Sequence, residues 1–186
     1  MSEYRAEKLN ILFCILQDAK QERNDINEAL YDAQNILKKI SDEGMKVEKA
    51  FVYGDKYNYM KSFGEIPVEQ ISFIRYSIED YSLVDSVLSS MNLLMEQQRK
   101  DQAMGIASDS SIVFLTNIRE IAPIYDLCLK RLFPYFRDFD VHPVFIGGDD
   151  TNCPAIADFT KERKGKIYTV DQFKYQAAQA EGWEEL

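Results

Sequence analysis

Three short stretches carry side chains that could do chemistry, and each directly follows an apolar run. The first run, Leu9-Asn10-Ile11-Leu12-Phe13-Cys14-Ile15-Leu16, stops at Gln17-Asp18-Ala19-Lys20-Gln21-Glu22. A carboxylate placed there can ligate a cation, attack an electrophile or cap the helix that follows. Asp18 comes without a glycine loop, so no backbone cradle for a phosphate is expected. The second stretch is Ile112-Val113-Phe114-Leu115-Thr116-Asn117, which offers a hydroxyl and an amide. The third, Gly147-Gly148-Asp149-Asp150-Thr151-Asn152 before Cys153 and Pro154, reads as a turn and helix start.

The cysteines give little nucleophilic chemistry. Cys14, Cys128 and Cys153 are widely spaced and lack the paired spacing of a zinc or redox motif. Cys14 in a strand and Cys128 on a helix's apolar side are expected to be buried, and Cys153 in a loop to be more exposed. The one histidine, His142, opens a strand before Pro143. Pairing it with a cysteine would require the fold to bring the two together.

The elements that must position these residues alternate. Ile26, Ala29, Leu30, Ala33, Ile36, Leu37 and Ile40 recur at helical steps, Gly44 ends that helix, and Val47 to Gly54 reads as a second strand. Glycine and proline punctuate residues 55–81, which predicts a short edge piece and a loop. Leu83, Val84, Val87, Leu88, Met91, Leu94 and Met95 give another helix. A polar link over 101–110 then precedes the strand at 111–116, apolar enough to be covered on both faces. A helix over 121–136, a strand over 141–146, a helix over 153–162, a strand over 166–170 and a helix over 171–180 complete the pattern. Strands alternating with helices predict a three-layer α/β fold, a doubly wound, mostly parallel central sheet of Rossmann-like topology.

The chain of 186 residues suits a single domain, with a core over about 8–180 and a short acidic tail containing Trp183. Trp183 either anchors a partner or folds back on the body. A net charge of −9 disfavours nucleic acid, which needs a concentrated basic patch. The densest basic run, Lys161-Glu162-Arg163-Lys164-Gly165-Lys166, reads as a solvated helix end. No apolar run reaches the ~20 residues of a membrane span, and the opening residues are mixed in charge, unlike a secretory signal. A cytoplasmic location, no membrane association and a protein partner are therefore the expectations. Tyr53, Tyr57, Tyr59, Tyr76 and Tyr81 cluster near the edge region, where they suit either an interface or a core wall.

From about Lys8 to Ala180 this order of elements resembles the von Willebrand factor A domain family. Residues 112–117 resemble the family's apolar strand ending in a Thr-Asp-Gly turn. Residues 144–150 resemble the next strand with its Ile-Gly exit, and 165–173 the last strand leading into the closing helix. The resemblance implies a metal-ion-dependent adhesion site for Mg²⁺, built from an Asp-x-Ser-x-Ser loop, a threonine and an aspartate. If Asp18 takes the aspartate position, the serines become Lys20 and Glu22; if Gln17 takes it, they become Ala19 and Gln21. Ser82 matches the threonine and Asn117 the third-loop aspartate. At most one carboxylate is left, which disfavours Mg²⁺. Asp18, Ser82 and Asn117 remain the candidate metal ligands, and Asp18, Lys20, Ser82 and Asn117 become a polar, metal-free binding face. The resemblance thus implies a non-enzymatic protein-binding or scaffolding module with a degenerate site, no cofactor and no catalytic residue.

Two pieces also resemble haloacid dehalogenase-type phosphatases. There Asp18 would be the nucleophile, Thr116 and Lys130 would hold phosphate, and Asp149 with Asp150 would hold Mg²⁺. The general acid two residues beyond the nucleophile is replaced by Lys20, so this stands as the alternative.

Overall fold

The computed structural model describes residues 6–16, 25–53, 59–64, 80–147 and 151–186, the side chains of 25–26, 53, 59–64 and 80–82 excepted. Six strands form one sheet: β1 (Lys8–Leu16), β2 (Lys46–Tyr53), β3 (Tyr59–Gly64), β4 (Ser108–Thr116), β5 (His142–Gly147) and β6 (Lys166–Thr169). Their order is β3-β2-β1-β4-β5-β6. Five strands are parallel and β3 is an antiparallel edge strand on β2. Helices α1 (Asp25–Asp42) and α5 (Val170–Gln179) cover one face; α2 (Asp80–Ala103), α3 (Pro123–Leu132) and α4 (Pro154–Glu162) cover the other. This is the expected three-layer, doubly wound α/β fold of Rossmann-like form.

Burial explains why the central strands are apolar throughout. All nine residues of β1 are buried, because β2 and β4 flank it and helices cover both faces. Ile11, Phe13 and Ile15 meet Ala29, Ala33 and Leu37 of α1, while Leu12, Cys14 and Leu16 share the opposite core with Val87, Met91 and Leu94 of α2. Phe13 stacks on Phe51 of β2 at 5.2 Å, and Phe133 stacks on Phe159 of α4 at 4.2 Å.

Two expected boundaries move. Helix α2 runs on through the expected polar link to Ala103 and stops where Gly105 takes a φ of +71°, and β4 starts at Ser108. Helix α3 ends at Leu132 and continues as a 3-10 turn over Phe133–Phe136, since Pro134 has no N–H to extend an α-helix.

The extension of α2 has a cause in buried charge. Asp101 in its last turn is 1% exposed, and its carboxylate accepts hydrogen bonds from Lys8 Nζ at 2.8 Å, Asn10 Nδ2 at 2.6 Å and Gln97 Nε2 at 3.1 Å. Lys8 also pairs with Glu48 of β2 at 2.8 Å. Burial alone would raise the Asp101 carboxyl and lower the Lys8 ammonium. The hydrogen bonds prevail, holding Asp101 below the usual carboxylate range and Lys8 above the usual lysine value.

Asp101→Asn should cost about 3 kcal/mol in urea unfolding at neutral pH, because it leaves Lys8 buried with half its partners. The contribution of Asp101 is fully present above the unfolded carboxyl value of about 3.9 and is lost as pH falls below it towards the depressed folded value. The gap between variant and wild type should therefore close on acidification below about pH 4.

Candidate functional site

The strand order reverses direction between β1 and β4, so the crevice beside Leu16 and Thr116 at their carboxyl ends is where an open α/β sheet ordinarily receives a ligand. On the β1 side, Asp18 and Lys20 lie outside the described residues. Ser82 falls in the first turn of α2, its side chain likewise outside them. Asn117 is described and only 8% exposed, so it offers little surface to a partner.

Internal hydrogen bonds close the β4–β5 part of this edge. Thr116 is fully buried, and its Oγ1 accepts from the Ile118 N–H at 3.1 Å. Thr151 Oγ1 donates to the Thr116 carbonyl at 3.3 Å, and the Asn152 N–H donates to the Ile118 carbonyl at 3.1 Å. Gly147 permits this closure, because a Cβ there would lie 3.0 Å from Thr151 Cβ. The cap of α4 comes from elsewhere than expected. Cys153 is its N-cap residue without a side-chain cap, and Asp126 of α3 accepts the Ala155 N–H at 2.9 Å. The other Asp126 oxygen pairs with Lys130 at 3.0 Å. Asp149 and Asp150 lie outside the described residues.

Among the residues matched to the adhesion-site loops, Asn117 is the one with a described side chain, and it is a neutral amide. No three His, Cys, Asp or Glu side chains among the described residues converge as a metal centre requires.

The cysteines exchange their expected places. Cys128 is exposed and Cys153 buried, with Cys14 buried as expected. Burial pushes the Cys153 thiol up to about 12 despite a hydrogen bond with Thr116, and the Cys14 thiol to about 12 despite one with Ser90. Both are protonated at neutral pH and poor nucleophiles. His142 opens β5 at the amino edge, while Cys153 follows β5's carboxyl end, so the strand separates them.

Sequence reasoning did not single out the amino edge of the sheet. A pocket of about 540 Å³ lies there, between the start of β4, the start of β5 and the tail after α5. The tail folds back: Trp183 is buried, and its indole Nε1 donates to Ser111 Oγ at 2.9 Å. Tyr168 Oη donates to the Leu186 carbonyl at 3.3 Å. Arg163, expected to be solvated, donates to the Phe136 and Phe139 carbonyls and lies over the Phe159 ring. The two serines at successive positions of β4 gave no motif; only their opposite faces on a strand distinguish them.

No family model matches the sequence, and no curated protein matches it. Among the described residues no helix is long and apolar enough to cross a membrane.

In the native protein one thiol of three should react rapidly with a disulfide reagent at neutral pH. Mass spectrometry should place the label on Cys128, with Cys14 and Cys153 labelled only on unfolding.

Proposed function

We propose that the chain is a non-enzymatic protein-binding module of the von Willebrand factor A type, working without a metal ion, and that α3 holds its partner. The outer face of α3 supports this reading. Of its ten residues only Leu129 is buried. Ile124 and Leu127 are 59% and 41% exposed, Cys128 lies beside them, and Tyr135 on the following turn is 85% exposed. Positions 124, 127, 128 and 131 follow helical spacing, so the apolar side chains form one stripe. A stripe of this kind suits the apolar face of a partner helix.

Charge narrows the partner. The chain is acidic overall, yet Arg131 is exposed at the end of the stripe. The complement is an amphipathic helix with an acidic flank. The mostly parallel sheet with helices on both faces is compatible with the von Willebrand factor A architecture, although a fold by itself does not assign a function.

Cys128 provides the probe. A thiol-reactive photocrosslinker attached there should capture a partner, and the acidic amphipathic segment of that partner, made as a peptide, should bind the wild type. Leu127→Asp should weaken peptide binding at least tenfold, about 1.4 kcal/mol, with its unfolding midpoint unchanged. Equal binding by both proteins would remove α3 from the interface. Mg²⁺-dependent turnover of a phosphate ester, abolished in Asp18→Asn, would replace the binding reading by a phosphatase.

A further inference from the structure

The apolar stripe on α3 is bounded by two opposite charges. Glu120 lies two residues before Ala122, the N-cap residue of α3, and Arg131 lies in the helix's last turn; both are exposed. Neither has a hydrogen-bond or ion-pair partner among the described residues. The other charges on this stretch are engaged. Lys130 pairs with Asp126 at 3.0 Å, Arg137 lies 4.0 Å from Asp138, and Arg119 has a contact of its own.

The order of these groups along the helix decides what can cover them. Positions 124, 127 and 131 are three and four residues apart, the alternation that lines a seam between two packed helices, and Glu120 stands just ahead of it. The seam therefore reads acid, Ile124, Leu127, base. A second copy laid parallel would set Glu120 against Glu120 and Arg131 against Arg131, and like charges in contact repel. An antiparallel copy removes that conflict. It sets Ile124 on Leu127 of the second copy, Leu127 on its Ile124, and each free charge against the opposite one. The positive amino end of each helix dipole then lies beside the negative carboxyl end of the other.

Exposure of apolar side chains points to the same patch. Of the seven large apolar side chains exposed among the described residues, Ile124 and Leu127 are the two that share an element. A two-fold axis between them makes the contact isologous, so one patch serves both copies. Size and charge set its strength. Ten helical residues span only ~15 Å, short of the ~800 Å² per partner of a standard stable interface, and each copy carries a net charge of −9. The pair is therefore weak, and it forms at high protein concentration in salt that screens the net repulsion.

We propose that a second copy of this chain occupies the α3 stripe, the two helices antiparallel about a two-fold axis, with Ile124 on Leu127 and Glu120 on Arg131 of the opposite copy. Self-occupancy rests on the reading of α3 as a binding face. It adds that the acid Arg131 calls for is supplied by Glu120 of the second copy, which an outside helix must displace.

Sedimentation equilibrium of the full chain at an ionic strength of about 0.15 M, where the Debye length is ~8 Å, tests the proposal. The apparent mass should rise from 21.6 kDa towards twice that value with increasing concentration. E120R and R131E should each associate at least tenfold more weakly, because each sets like charges together at both ends. An equal mixture of the two variants should regain wild-type association, since both ends of the mixed pair then carry opposite charges. Both side chains are exposed, so the unfolding midpoints should match wild type. Association unchanged in both single variants, or not regained in the mixture, would overturn the proposal. A chain that stays monomeric yet binds an acidic helical peptide through α3 would overturn the second copy as occupant and leave α3 a binding face; a chain that does neither would overturn both readings.

Discussion

The buried ion pair between Lys8 and Asp101 is the constraint around which the amino end of this molecule is arranged. Lys8 and Asp101 are 93 residues apart in sequence, yet both are almost fully inaccessible to water. Charges removed from water must be paired and hydrogen-bonded or the structure loses several kcal/mol. Asn10, Gln97 and Glu48 complete the set, which ties the start of β1, the end of α2 and β2 together. Helix α2 must reach Asp101 before it can stop. Its length follows from that pairing more than from its own periodicity, since its last turns are polar on every side.

Once α2 ends at that height, β4 begins early. It enters at Ser108 and pairs with β1 from Lys8 onward, whereas β5 joins β4 only at Ser111. Ser108, Asp109 and Ser110 therefore extend past the start of β5, and the tail around Trp183 closes over the resulting step. The opposite end of the same strands behaves differently. There Thr116, Ile118, Thr151 and Asn152 hydrogen-bond to one another across the β4 and β5 exits.

Much of the architecture was legible because it depends on pattern. The apolar runs of β1 and β4 state burial on both faces, and the spacing of Ala29, Leu30, Ala33, Ile36 and Leu37 states one helical face. Helix α3 shows where pattern is ambiguous. It carries two apolar stripes, Tyr125-Leu129-Leu132 and Ile124-Leu127-Cys128, both at helical spacing, and the fold packs the first against the core. Periodicity cannot rank two such faces, so it does not reveal that Cys128 faces outward. Cys153 shows the converse, because loop polarity concealed the burial produced when α4 docks. Asp101 and Ser110 were illegible for a third reason: a single acid or serine in a polar stretch looks solvated until a distant element covers it. Of the residues read as a binding face, Asn117 has a described side chain, and it is buried at the exit of β4.

The acids lining the amino-edge pocket carry a thermodynamic cost that the rest of that edge must offset. A carboxyl whose folded value lies above its unfolded value destabilises the ionised native state, and Asp109 is such a group. Glu184 could relieve it by moving away if the tail were free to drift. It is held instead by the Trp183 indole on Ser111, the buried Leu186 side chain and the Tyr168 hydroxyl on the Leu186 carbonyl. Apolar burial of an indole contributes enough to keep like charges close when each repulsion is only partly screened. The anchoring of the tail and the clustering of the acids are therefore one feature, because the first maintains the second against electrostatics.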